Sequence, residues 1–376
     1  MAEKNILIIC GEPSGEMHAA GLAGALKKLN PEIKISGIGS DLLRSTGVEI
    51  FYEIKGLSVM GFFDVLKKLP KFLALKKLIL SKIATQKPDA IIFVDFSGFN
   101  LRLAKTINNT IPTIYYVSPQ VWASRPGRVK TIKKYIKKMI VLFKFEEEFY
   151  RKFGIKADWV GHPLLEIVKP TMPRDELLRN LKFENTKTTL ALFPGSRKQE
   201  IKRILPIMLK SAQLIAKKLD AQFVIAKTSQ IDWDIYNNLI KDLKLDIKIV
   251  EGKPYDCMNI ADFCLVCSGT ATLETTIMQK PFCLIYKTSP LNYLLYRPQI
   301  KLPHIGMANI VAGKEIIPEF IQFKASPKKI SAYAVKTLQD KSKLQNIKND
   351  LAKVSSTLGA PGATSLAAKI ICNFLK

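Results

Sequence analysis

Two short stretches place small and charged residues where an apolar run gives way to a helical pattern. "LFPGSRKQEI" sets Gly195, Ser196 and Arg197 at such a junction. "LVCSGTATLE" does the same with Ser268, Gly269, Thr270 and Thr272, and puts Glu274 about one turn further on. Open N–H groups at a helix start, reinforced by the helix dipole, attract an anion. Arg197 adds a planar fork suited to phosphate oxygens. The carboxylate of Glu274 can accept two hydrogen bonds from a vicinal diol. Together the turns read as a site for a nucleoside diphosphate, with the small residues for the diphosphate and the glutamate for the ribose. Each turn alone also reads as an ordinary capped helix, with a solvated arginine in one and a dipole-favoured glutamate in the other. Neither contains a Walker loop or a GxGxxG fingerprint.

The N-terminal half has a third corner of this kind. "CGEPSGEMHAAG" carries Ser14, Gly15, Glu16 and His18 directly after an apolar strand. "FVDFSGFN" ends another such strand on Asp95. An acid there is costly to bury unless paired, and a raised pKa would suit it to general-base work; the plain alternative is an aspartate capping the next helix. "YVSPQVWASRPGRVK" brings Trp122, Arg125 and Arg128, a mix suited to a phosphate or a lipid head group. From Val59 to Ile83, Phe62, Leu66, Leu69, Phe72 and Leu73 recur at helical spacing among lysines. Basic amphipathic segments with aromatics lie in membrane interfaces and meet anionic lipid. The competing reading is a crossover helix whose apolar stripe is core.

The elements that must position these residues follow from the periodicity. "NILIIC", "AIIFVDF", "TIYYVS" and "KMIVLF" are apolar strands separated by helical stretches, and after a polar, proline-bearing crossover the alternation restarts with "TTLALFP", "AQFVIAK", "FCLVC" and "PFCLIYK". Such alternation predicts an α/β chain with parallel sheets covered on both faces. Two doubly wound domains are expected, at residues 1–170 and 171–350, facing a cleft. The amphipathic helix expected within 351–376 has two open placements: back on the first domain, or exchanged between subunits.

Composition sets the outer bounds. The chain has 376 residues, 47% hydrophobic, with a formal charge of +26. That balance suits nucleic acid, an anionic membrane surface or phosphorylated substrates, or is simply a lysine-rich habit. No RNP, KH or zinc-knuckle pattern accompanies it, so no nucleic-acid partner is expected. The six cysteines include one CxxC, Cys264 and Cys267, inside an apolar run, which reads as core and neither as metal site nor as disulfide. No signal-peptide pattern and no membrane span is read from the sequence.

"GEPSGE", "SVMGFFDVL", "FVDFSGFNL", "YVSPQVWASR", "VGHPL", "LFPGSRKQEI", "SGTATLE" and "ANIVAGKEIIPEFIQ" stand in this order across nearly the whole chain. Together they closely resemble the lipid-A-disaccharide synthases, inverting glycosyltransferases (hexosyltransferases) of lipopolysaccharide assembly. The resemblance implies a GT-B fold of two Rossmann-like domains and no cofactor or tightly bound metal. It implies a UDP-2,3-diacylglucosamine donor, a 2,3-diacylglucosamine 1-phosphate acceptor, and a β-1,6-linked disaccharide 1-phosphate and UDP as products. It further implies a cytoplasmic enzyme, peripheral on the inner membrane's cytoplasmic face; a homo-oligomer is compatible with all of this. On this reading Arg197, Ser196 and the Ser268–Thr272 turn hold the diphosphate and Glu274 the ribose. "EGKPYD" offers backbone groups to uracil, and Asn309, with Glu319 and Gln322, approaches the donor. Asp95 is the base for the acceptor hydroxyl, with Glu16 as its competitor. Ser14, Gly15, Trp122 and Arg125 lie on the acceptor side. The nearest rivals are other UDP-sugar enzymes of the same fold, a UDP-N-acetylglucosamine 2-epimerase or a peptidoglycan-precursor transferase.

Overall fold

The computed structural model describes residues 4–55, 57, 67–300 and 302–376. They form two compact units, one of residues 1–163, 298–301 and 358–376, the other of residues 164–297 and 302–357. The first unit holds β1 (Asn5–Ile9), β2 (Lys34–Gly39), β3 (Glu49–Glu53), β4 (Ala90–Val94), β5 (Thr113–Tyr116), β6 (Lys138–Val141) and β7 (Ala157–Trp159). The second holds β8 (Thr188–Phe193), β9 (Ala221–Lys227), β10 (Ile247–Glu251), β11 (Phe263–Cys267), β12 (Phe282–Tyr286) and β13 (Glu319–Ile321).

All pairings are parallel, in the order β3-β2-β1-β4-β5-β6-β7 in one sheet and β10-β9-β8-β11-β12-β13 in the other. Helices cover both faces, so the central strands are apolar beyond their first residues. All five residues of β4 are buried. In β8 successive side chains serve opposite faces: Leu190 and Leu192 join one core cluster, Ala191 and Phe193 another. Strand order reverses between β1 and β4, and again between β8 and β11. At such switch points the flanking loops diverge and open a crevice at the carboxyl ends.

The Leu69–Gln86 helix buries Leu75 and Ile79. Phe72 packs inward, its ring 6.0 Å from that of Phe96 and 6.2 Å from that of Phe99. That corrects its expected membrane-facing placement: one stripe of this helix is core. Leu69 and Leu73 are exposed, Leu73 by 59%. Phe62 and Leu66 lie outside the described residues. No helix among the described residues is long and apolar enough to cross a membrane. The Ala363–Phe374 helix packs on the Pro13–Leu29 helix within the first unit.

In the second unit, Asp256 fastens the crossover. It is 1% exposed, and its carboxylate accepts from Thr171 N at 2.7 Å, Thr171 Oγ1 at 2.7 Å and Met172 N at 3.0 Å. Asp256→Ala strands these donors, at roughly 1–3 kcal/mol for each left buried. The expected outcome is a calorimetric unfolding midpoint for the second unit lowered by about 10 °C.

Candidate active site

In the first unit, the β1/β4 switch point gathers the N-terminal corner and the end of β4. The Pro13–Leu29 helix comes so close to β4 that a Cβ on Gly15 would lie 3.3 Å from Asp95 Cβ. Asp95 itself sits in the left-handed region, φ 49°, an uncommon state for a non-glycine residue. Its backbone carbonyl is held by the Tyr115 hydroxyl and, at 2.9 Å, by Asn100 Nδ2. Asp95 is half-buried at the switch point. Ser14 stands in the same corner, half-buried.

Glu16 does not join them. Its carboxylate accepts from the backbone N–H and hydroxyl of Ser40 and from Leu43 N at 3.2 Å. It is 4% exposed and ties the first helix to the start of the Asp41–Arg44 helix. A carboxylate spent on three donors is a structural strut.

The loop after β5 carries Trp122 and Arg125. Trp122 Nε1 donates to Glu146 Oε1 at 3.0 Å, and the indole packs edge-on against Phe145. Arg125, exposed and at φ 55°, donates to Gln299 Oε1 at 3.2 Å. Arg128 reaches toward the Asp95 turn, donating to Ser97 Oγ at 3.1 Å. Burial lowers its pKa, and the like charges of Arg125 and Arg102 lower it further. Glu146, 3% exposed, is pushed up from 4.5 to about 7, because burial outweighs the hydrogen bonds from Trp122 and from the Phe143 and Leu142 amides.

In the second unit, the two turns flank the β8/β11 switch point. Gly195 (φ 107°) and Gly269 (φ 147°) occupy backbone states that side chains rarely adopt. The first turn differs from expectation. The Ser196 and Arg197 amides, read from sequence as an open anion cradle, both donate to Glu200 Oε2 at 3.2 Å. Arg197 Nη1 donates to Glu200 Oε1 at 3.1 Å. Glu200 stands three residues into the helix and closes a capping box. The spacing "RKQE" carried that signal. What the turn presents is therefore the Arg197 side chain, 38% exposed and braced by Glu200.

The second turn is the open one. No side chain caps the Thr270–Ile277 helix at Gly269, and Gly269 and Thr270 are exposed. Ser268, half-buried, spends its N–H on Ile285 O at 3.1 Å. Thr272 is a correction: 1% exposed, it turns its hydroxyl back on Gly269 O at 2.8 Å, inside its own first turn. Glu274 Oε1 accepts from Tyr255 Oη at 3.0 Å, and its other oxygen has no partner among the described residues. Burial raises the Glu274 pKa, and the Tyr255 hydroxyl opposes that. Tyr255, in "EGKPYD", thus buttresses the proposed ribose ligand through its side chain.

Asn309 is a second correction. It is 0% exposed. Its Oδ1 accepts from Ile316 N and Ile317 N at 2.8 and 3.1 Å, and its Nδ2 donates to Ile317 O and Glu319 Oε1 at 2.8 and 2.9 Å. With its hydrogen-bonding capacity spent inside the protein, it shapes a loop and does not reach a ligand. Glu319 and Gln322 are likewise engaged, Glu319 with the Ile305 and Gly306 amides and Gln322 with both backbone groups of Thr288.

Two Rossmann-like parallel-sheet units in one chain, each with a polar switch point, are the GT-B architecture of glycosyltransferases and related nucleotide-sugar enzymes. Solved structures share it. A UDP-GlcNAc 2-epimerase from Neisseria meningitidis, bound to UDP-GlcNAc, matches with TM-score 0.63 at 12% identity, over 98% of this chain and 100% of that one. The glycotransferase of kitacinnamycin matches with TM-score 0.63 at 13% identity, over 100% of both chains. At such identity the likeness carries the fold alone. Sequence carries more. The family model described as Lipid-A-disaccharide synthetase matches residues 6–372. The lipid-A-disaccharide synthase of Syntrophus aciditrophicus is 39% identical, covering 100% of this chain and 99% of its own. That of Geobacter sulfurreducens is 37% identical, covering 98% and 97%. The chain belongs to the lipid-A-disaccharide synthase family: it is a glycosyltransferase of lipid A biosynthesis.

Glu146 gives the Trp122 loop a pH signature. Below the carboxyl's usual 4.5 both folded and unfolded chains hold its proton; between there and about 7 only the folded chain does. Its stabilising contribution is therefore full at low pH and lost as pH rises through about 7, by roughly 3 kcal/mol. Urea midpoints measured from about pH 5 to 8 are expected to show this downward component in the parent and not in Glu146→Gln.

Proposed function

We propose that the chain transfers 2,3-diacylglucosamine from its UDP-linked donor to the 6-hydroxyl of 2,3-diacylglucosamine 1-phosphate. The observation that carries this reading is the β8/β11 switch point: an uncapped helix start at Gly269, the braced guanidinium of Arg197, and a glutamate with one carboxylate oxygen unspent among the described residues. The diphosphate lies against the amides that open the Thr270–Ile277 helix, with Arg197 on its oxygens. Glu274 takes the ribose hydroxyls. Asp95 removes the proton of the acceptor 6-hydroxyl as that oxygen attacks the anomeric carbon. The bond from that carbon to the phosphate oxygen breaks with inversion, and UDP leaves. The developing charge on the diphosphate is met by Arg197 and the helix dipole, groups already oriented before reaction. Arg125 and Arg128 receive the acceptor phosphate, and Trp122 lies beside its sugar.

The first unit thus takes the acceptor and the second the donor. Leu69 and Leu73, on a helix that also carries Lys71, Lys76, Lys77 and Lys82, rest the first unit on the cytoplasmic face of the inner membrane.

Incubation with the diacylated donor and acceptor in detergent is expected to release UDP and a lipid disaccharide; UDP-N-acetylglucosamine in place of the donor is expected to release neither. Asp95→Asn is expected to lower kcat by about 10²–10⁴ with little change in KM. Arg197→Ala is expected to lower it by about 10²–10³. Near-parental turnover in either variant removes that residue from its assigned role.

A further inference from the structure

The second unit carries an apolar surface that the reaction does not use. The helix Pro290–Tyr296, "PLNYLLY", follows β12 and exposes Leu291, Leu294 and Leu295, with Leu294 70% exposed. Phe323 joins it from the far side of β13 and is 84% exposed, among the most solvent-facing positions a phenylalanine can take. Its ring stands edge-on to Tyr293, centroids 6.2 Å apart.

This surface is built, not frayed. Gln322 sits at φ 51°, a left-handed state in a non-glycine residue. Its side chain is 3% exposed and is bonded to both Thr288 N and Thr288 O at 3.1 Å. Those bonds stitch the chain before Phe323 to the chain before the helix. Ser289 then caps the helix, its Oγ accepting from Asn292 N at 3.3 Å. Buried anchors and a strained residue thus hold a phenylalanine and three leucines in water. Burial of such side chains is worth roughly 1.5–3 kcal/mol each, so the exposure has a purpose in a state where they are covered.

Charge identifies the cover. Lys324, exposed, follows Phe323 in the chain, exposed Lys287 stands three residues before the helix, and Arg297 closes it. No residue from 275 to 314 is acidic. Within 287–297 and 320–329 every charged side chain is basic, and basic groups among exposed apolar residues fit the surface of an anionic bilayer. We propose that this patch on the second unit is a lipid-contact surface, distinct from the helix of the first unit, and that it takes an anionic phospholipid interface. The inference rests on the membrane reading above, and adds that the donor-binding unit has its own hold on the lipid in which its diacylated substrate resides.

The test is flotation with vesicles of phosphatidylglycerol and phosphatidylcholine in equal parts. Five proteins are compared: the parent, Leu294→Ser with Phe323→Ser, Phe323→Ser alone, Lys287→Gln with Lys324→Gln, and Leu69→Ser with Leu73→Ser. The Leu294/Phe323 variant is expected to bind about tenfold more weakly or worse, and the single variant to fall in between. Turnover on detergent-dispersed substrates is expected to stay at the parental level, since none of these side chains is in the reaction. Lys287→Gln with Lys324→Gln is expected to weaken binding to the anionic vesicles and leave the weaker binding to pure phosphatidylcholine unchanged. Parental flotation by both Phe323 variants overturns the inference, while loss only in the Leu69/Leu73 variant preserves the membrane reading. Failure of the parent itself to float overturns both. A change in sedimentation coefficient on replacing Leu294 and Phe323, with vesicle binding intact, shows a contact between copies and likewise overturns it.

Discussion

The chemistry of this protein is confined by the burial of its parallel strands on both faces. A strand such as β4, with every residue inside, has no place for a charged group along its length. Ligand-sized space opens at the strand ends, where neighbouring connections diverge. Each sheet has one such place, between β1 and β4 and between β8 and β11. Asp95 and Gly15 stand at the first; Gly195, Arg197, Gly269 and Glu274 stand at the second. The positions follow from strand order more than from any local motif.

A second constraint comes from charge. The chain has 58 lysines and arginines against 32 acids, and several of those acids are withdrawn from solvent to organise backbone. Glu16 holds Ser40 and Leu43, Glu146 holds two amides and Trp122, Glu200 closes the Gly195 turn, and Asp256 fastens the crossover. Buried carboxylates are retained where they satisfy several donors at once. Glu274 departs from that pattern, since only one of its oxygens is engaged by a side chain and that partner is a tyrosine. This contrast sets Glu274 apart from the structural glutamates more clearly than residue type does.

Fold and family answer different questions. The chain matches an epimerase and a glycotransferase with the same TM-score of 0.63, because one fold hosts many functions. The distinction lies in side chains that the sheet positions but does not specify, and those align over the whole length with the lipid-A-disaccharide synthases. The apolar surfaces belong to this second level. Leu73 on the first unit and Leu294 and Phe323 on the second stand on covering elements that could bear any solvent-compatible residue.

The central strands, the two-unit plan and the glycine turns were legible in the residues, because full burial writes an uninterrupted apolar run and a left-handed turn asks for glycine. The edge strands β3, β7 and β13 were not, since they are half-buried and their alternation is weak. Sequence by itself determined the family, the fold class and which corners carry polar chemistry. Tertiary structure alone decided how each polar group is spent. Glu16, Thr272 and Asn309 look like site residues until their partners are seen, and Ser40, Gly269 and Ile317 are those partners. Phe72 turned inward and Phe323 outward for a related reason. Hydrogen bonds and burial are properties of neighbours brought together by folding, and residue type limits them without fixing them.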